Sequence, residues 1–112
     1  MVIIEYPGFT KTIGELMDDE DYRALQNALV ENPERGDLIP GTGGLRKIRW
    51  SLAGRGKQGG ARIIYYWWTR TSRLYLLLAY PKNVQDNLTP TQAKRLAEAI
   101  HRELDDGRKT IR

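Results

Sequence analysis

Three runs of aliphatic and aromatic residues, 45–52, 61–69 and 73–80, follow one another closely. Only a glycine-rich stretch and a three-residue polar turn separate them. Strands joined so tightly cannot run parallel, because a parallel pair needs a crossover of roughly a dozen residues or more. The spacing therefore predicts an antiparallel meander. Val2–Glu5 adds a β-rich run that Pro7-Gly8 is expected to close as a turn. Two helices are expected next. Residues 9–17 place Phe9, Ile13 and Leu16 at helical spacing, and a helix capped by Asp18 or Asp19 runs to Glu31 with Tyr22, Leu25, Ala28 and Leu29 on one face. Asn32-Pro33 stops it, and residues 33–44, with two prolines and four glycines, read as a loop. Thr89-Pro90-Thr91-Gln92 opens a last helix with capping-box spacing. Its stripe is Ala93, Leu96, Ala97, Ile100 and Leu104, Gly107 is expected to end it, and residues 108–112 to fray. The expected architecture is α+β, in the order β-α-α-β-β-β-α, an antiparallel sheet with the helices packed on one face.

At 112 residues the chain suits one domain, residues 1–112. It has no cysteine, which excludes disulfides and thiolate metal sites and fits a reducing cytoplasm. No basic N-terminal region precedes a long apolar stretch, so no secretory signal is expected. The longest apolar run, residues 63–68, is too short to cross a bilayer. With a single histidine, a metal site would have to be built mostly from carboxylates, and none is expected.

The charge is divided unevenly. Residues 1–37 hold nine acids against three bases, whereas residues 38–85 hold nine bases and no acid; the remainder is nearly balanced, and the net charge is +4. A 48-residue stretch without a carboxylate projects a positive potential suited to phosphates. A solvated basic face paired with the acidic N-terminal third is the structural alternative. Within 45–52, alternation puts Arg46, Ile48 and Trp50 on one face and Lys47 and Arg49 on the other. Two adjacent cations on an open sheet face cost stability and suggest a phosphate site, although lysines also protect edge strands. Arg62 opens the most apolar strand, where a guanidinium can hold a phosphate bidentately. The stretch Gly54 to Gly60 carries Arg55 and Lys57 but lacks the P-loop order of glycines before a Lys-Ser/Thr pair. Tyr65 and Trp67 alternate with Tyr66 and Trp68, so one pair is expected in the core and the other is available for stacking or a protein interface. Lys82-Asn83 follows the last strand, and His101 is expected at the surface of the last helix.

The strings Gly41-Thr42-Gly43-Gly44-Leu45-Arg46-Lys47-Ile48-Arg49, Gly54-Arg55-Gly56-Lys57 and Gly59-Gly60-Ala61-Arg62-Ile63-Ile64-Tyr65-Tyr66 resemble the RelE/ParE toxin superfamily, and more narrowly its HigB branch. Tyr80-Pro81-Lys82-Asn83 and the Leu88-Thr89 helix start extend the resemblance. It implies the toxin of a bacterial type II toxin–antitoxin pair, working in the cytoplasm. Its partners would be a helix-turn-helix antitoxin and a ribosome with mRNA in the A site. The implied activity is endoribonucleolytic and uses no metal or other cofactor: the 2′-hydroxyl attacks the adjacent phosphorus and leaves a 2′,3′-cyclic phosphate and a 5′-hydroxyl. Such chemistry needs a base, cations for the phosphorane and a proton for the leaving oxygen. By resemblance Lys47 is the base or a phosphate contact, Arg49 a phosphate ligand, Arg62 the transition-state stabiliser and Lys82 a further catalytic cation. Arg46, Arg55, Lys57 and Asn83 are expected to contact RNA. An arginine of RelE-type members falls near Gln85 and a late tyrosine near Thr89, which leaves the leaving-group acid unassigned, with Lys57 or Arg55 as substitutes. Two rivals share the fold: a ParE-like gyrase poison without nuclease activity, and a member whose activity has decayed.

Overall fold

The computed structural model describes residues 1–51, 60–85 and 87–111. β1 (Val2–Glu5), α1 (Pro7–Leu16), α2 (Asp19–Glu31), β2 (Asp37–Leu38), β3 (Leu45–Trp50), β4 (Ala61–Trp68), β5 (Arg73–Pro81) and α3 (Pro90–Ile111) follow in that order. The α+β class and the meander β3-β4-β5 are as the sequence implies. Pro7 begins α1 rather than closing a turn, because its missing N–H is needed by no partner in a first helical turn. Asp18 caps α2, its carboxylate accepting from Asp21 N–H at 2.8 Å. Thr89 and Gln92 cap α3 reciprocally: Gln92 N–H donates to Thr89 Oγ1 (3.1 Å) and Thr89 N–H to Gln92 Oε1 (3.0 Å).

Four further expectations change. The five-stranded sheet has the order β1-β5-β4-β3-β2, and β1 lies parallel to β5, so the sheet is mixed rather than antiparallel. No hairpin joins β1 to β5, and the two helices between β1 and β2 leave its direction free. The segment read wholly as a loop contains β2, two residues paired with β3. The helices cover both faces instead of one. Phe9, Ile13 and Leu16 of α1 and Leu25 and Leu29 of α2 pack against Ile48, Ile63, Tyr65, Leu74 and Leu76. On the other face, Ala97, Ile100 and Leu104 of α3 pack against Leu45, Ile64, Tyr75 and Leu77. The strands explain this: β4 and β5 are apolar on both sides, and a sheet apolar on both faces needs cover on both. Finally, α3 continues through Gly107 and the expected frayed tail to Ile111. A glycine costs a helix ~1 kcal/mol relative to alanine and does not by itself end it.

A register shift between Ile64 and Tyr65 gives β5 an extra residue. The bulge turns both Leu77 and Leu78 toward the α3 side, and beyond it Tyr80 stands opposite Arg62. Within the described residues no helix is long and apolar enough to cross a membrane.

Candidate functional site

Register decides which cations meet. Arg49 of β3 is directly opposite Arg62 of β4, and Arg62 is opposite Tyr80 of β5. Lys47 lies two residues before Arg49 and therefore on the same face. This is the face that α3 covers; α3 packs over Leu45, Ile64 and Tyr75, Lys47 stands opposite Ile64 at the border of that core, and Arg49 and Arg62 lie beyond it. Arg49 is exposed, Lys47 half-buried, and Arg62 buried at 6% exposure. Lys82 follows immediately after β5, its N–H donating to Gly60 O at 2.9 Å. A Cβ placed on Gly60 would lie 3.6 Å from Arg62 Nη1 and 3.8 Å from the Lys82 stem, so these two side chains flank one glycine. Arg49, Arg62 and Lys82 are thus brought to one end of one sheet face, with Lys47 next to Arg49 on the side of the α3 core.

The Lys47 ammonium donates to Asn87 Oδ1. The Asn87 carbonyl accepts from Gln85 Nε2 (2.8 Å), which also donates to Gln92 Oε1 (2.5 Å), the group that caps Thr89. The N-terminus of α3 is thereby tied to the cation on β3. Beside this network is a cavity of about 220 Å³ between β2 and the turn ahead of α3. Leu38, Ile39, Pro40 and Leu88 supply its apolar walls, and Asp37, Asn87, Lys47 and Arg49 its polar ones. Asp37 is the register partner of Lys47 on β2.

Other candidates lie elsewhere. Arg46 faces the α1–α2 side, as alternation implies, and its Nη1 donates to Gly36 O (2.7 Å) and Glu34 O (3.1 Å), with the Glu34 carboxylate 4.0 Å from Nη2. It clamps the α2–β2 connection and stands apart from the other cations. Asn83 is exposed in the turn after β5. Arg55 and Lys57 lie outside the described residues. Gln85 and Thr89 belong to the capping network just described. Neither aromatic pair is fully exposed: Tyr65 is buried, while Tyr66, Trp67 and Trp68 are half-buried, because each sheet face has its own helical cover. His101 is half-buried rather than a surface residue. Its Nε2 lies 3.2 Å from Thr42 O and its ring packs edge-on against Tyr66, 5.6 Å between centroids. Among the described residues no group of three His, Asp or Glu side chains could hold a metal ion.

Sequence reasoning missed Asn87 and Asp37. Asn87 precedes a capping box and reads as a loop residue; its contact with Lys47 spans forty positions. Asp37 is hidden because β2, only two residues long, has no periodicity to reveal it.

These features define a class: a small α+β domain whose mixed five-stranded sheet carries a cation cluster at one end. No protein-family profile matches the sequence. Among solved structures, the chain is similar to the E. coli toxin RelE, a doubly substituted form in the free state. The TM-score is 0.54 at 16% identity over 76% of this chain and 86% of that one. The fold is RelE-like.

Proposed function

We propose that this protein is a HigB-like toxin of a type II toxin–antitoxin system, and that it cleaves mRNA on the ribosome without a metal. The observation that carries this reading is the convergence of Lys47, Arg49, Arg62 and Lys82 on one face of a RelE-like sheet. A surface made only to bind another protein has no need of a buried arginine among other cations. The HigB-like assignment rests on the Gly41–Arg49 string and its companions in the sequence.

In this reading the scissile phosphate sits over Arg49 and Arg62. Arg62 is fixed by burial, so its guanidinium is already oriented when the phosphorane develops charge, which is where preorganised donors stabilise most. Lys47, held by Asn87, is assigned the 2′-hydroxyl proton, which it takes as the neutral amine after giving up one of its own protons to solvent. Lys82, at the rim, and Arg55 and Lys57, outside the described residues, are left to protonate the departing 5′ oxygen. Arg46 and Asn83 contribute at most peripheral RNA contacts. A cytoplasmic location, the ribosomal A site as the place of action and a helix-turn-helix antitoxin belong to the same reading.

Primer extension on cellular mRNA after brief induction tests it. Wild type is expected to give discrete new 5′ ends at codon-phased positions. Arg62→Ala should lose them by several orders of magnitude, and Arg62→Lys, which keeps charge but not the bidentate fork, should recover only part. Circular dichroism of both variants establishes that they fold. Growth arrest by wild type without such cuts would overturn the nuclease reading in favour of a gyrase-poisoning toxin.

A further inference from the structure

The cavity beside Lys47 shares Lys47 and Arg49 with the cleavage just described, but its other walls take part in no step of it. We propose that it is a nucleobase subsite, and that Asp37 and Asn87 make it select guanine. This rests on the nuclease reading of the adjacent cations, but its argument is separate.

Size and walls come first. A cavity of about 220 Å³ is smaller than the roughly 300–1,000 Å³ of clefts for drug-sized ligands, and suits one flat ring system. Leu38, Ile39, Pro40 and Leu88 offer it apolar surface, which the two faces of a base require. Lys47 and Arg49 line the cavity and also belong to the cation row. A phosphate held by that row places its own nucleoside at the mouth of the cavity.

The polar groups then discriminate. Lysine's ammonium can only donate, so Asn87 must present Oδ1 to it and is left with its Nδ2 hydrogens to offer. Asp37 shares the face of Lys47 through their pairing, and among the described residues its carboxylate has no ion-pair or hydrogen-bond partner. The wall therefore presents one donor beside a group that only accepts. Guanine's pairing edge carries the complement: O6 accepts, then N1–H and N2–H both donate. Adenine and cytosine either turn an unprotonated ring nitrogen toward the carboxylate or, turned over, give it a single exocyclic N–H, whereas guanine gives it two. Uracil matches at O4 and N3–H but brings O2 against it. Discrimination thus comes from repulsion as much as from attraction. Asp37 is also the last acid before the acid-free stretch 38–85, on a face otherwise suited to phosphate. A carboxylate there weakens phosphate binding; facing Lys47 across the strand pair it offsets that lysine's charge, and on the cavity side it is free to accept from a base.

The test is titration of the purified protein with each of the four 3′-nucleoside monophosphates, followed by NMR, together with the base composition at mapped mRNA cuts. Wild type is expected to bind 3′-GMP about tenfold more tightly than the other three, as a bidentate base contact implies. Asp37→Asn, which keeps shape but not the double acceptor, should erase that difference. Equal binding of all four, absence of saturable binding, or a guanine preference that survives in Asp37→Asn would overturn the subsite. Cuts that show no guanine preference at any fixed position would also overturn it while leaving the nuclease intact. A guanine preference in binding, lost in Asp37→Asn, with no mRNA cleavage by wild type would support the subsite and overturn the nuclease reading.

Discussion

Tyr65→Phe removes one oxygen from the core, and the structure says what that oxygen holds. The Tyr65 hydroxyl donates to Pro33 O and accepts from Gly36 N–H, each at 2.8 Å, and the side chain is fully buried. Burial pushes this hydroxyl above the usual tyrosine range, and the Gly36 N–H and the Arg46 charge pull it partly back. The two backbone groups belong to the connection that leads into β2, whose far side is the cavity wall. Phenylalanine fills the same space, so no cavity term enters. What enters is a buried N–H and a part-buried carbonyl without their partner, at about 1–3 kcal/mol for each buried group left unsatisfied. Water can reach the carbonyl more easily than the N–H, so a total of about 2 kcal/mol is expected. With a urea m-value of roughly 2 kcal/mol/M, the midpoint should fall by about 1 M. Unfolding followed by the fluorescence of Trp50, Trp67 and Trp68 measures it. Arg46 holds the carbonyl of the same Gly36, so Tyr65→Phe and Arg46→Met should be non-additive by at least about 0.5 kcal/mol in a double-mutant cycle. A midpoint unchanged within error, or strict additivity, would refute the argument that these two side chains jointly fix the connection.

Further outcomes follow from contacts of the same kind. Gly43 has φ +69°, and a Cβ there would lie 2.8 Å from His101 Nε2, so Gly43→Ala should destabilise by about 1–3 kcal/mol, read as a lowered thermal midpoint. Asn87→Asp sets a carboxylate against the Lys47 amine and favours its charged form; if Lys47 is the base, the pH profile of cleavage should move to higher pH, whereas Asn87→Ala should lower the rate without that displacement. Tyr6 is pushed up to about 12, first by burial and then by the charge of Glu103. A folded-state value above the unfolded one, about 10, means that its stabilising contribution is complete below pH 10 and is lost as the pH climbs toward 12. Alkaline denaturation of Tyr6→Phe should accordingly be less steep over that interval.

The strand meander, the capped helices and the face on which Lys47 and Arg49 stand were legible in the sequence because each rests on local chemistry. Alternation fixes which residues of β3 share a side, and an Asp or Thr ahead of an amphipathic run fixes a helix start. What was not legible depends on pairing at a distance. That β1 runs parallel beside β5 and that β2 exists follow from which edges remain open once the meander has formed. The placing of α3 on the opposite face follows from the apolar character of both sides of β4, visible in Ile63-Ile64-Tyr65-Tyr66-Trp67-Trp68 but read as one core pair and one exposed pair. Arg46 shows the same limit: it is a cation among cations in the sequence, and only the fold shows that its partners are the carbonyls of Glu34 and Gly36.

The cation cluster and the α3 core are parts of the same strands. Leu45 on β3 and Tyr66 on β4 lie under the helix as register partners, and four residues away along each strand stand Arg49 and Arg62. Like charges facing each other across a strand pair lower stability by ~0.2–1 kcal/mol, and burying Arg62 adds a desolvation cost. A sheet whose only stability came from that end would not hold the cations together. Here the apolar half, clamped between two helical layers, fixes the register, and the register in turn fixes Arg49 opposite Arg62 whatever the local repulsion. The capping network serves the same purpose from the helix side, since the residues that start α3 also hold the Lys47 amine. Loosening the α3 core at Ile100 would therefore disturb the cation end of the sheet as well, although Ile100 packs in the core with Leu45 and Ile64 rather than with the cations.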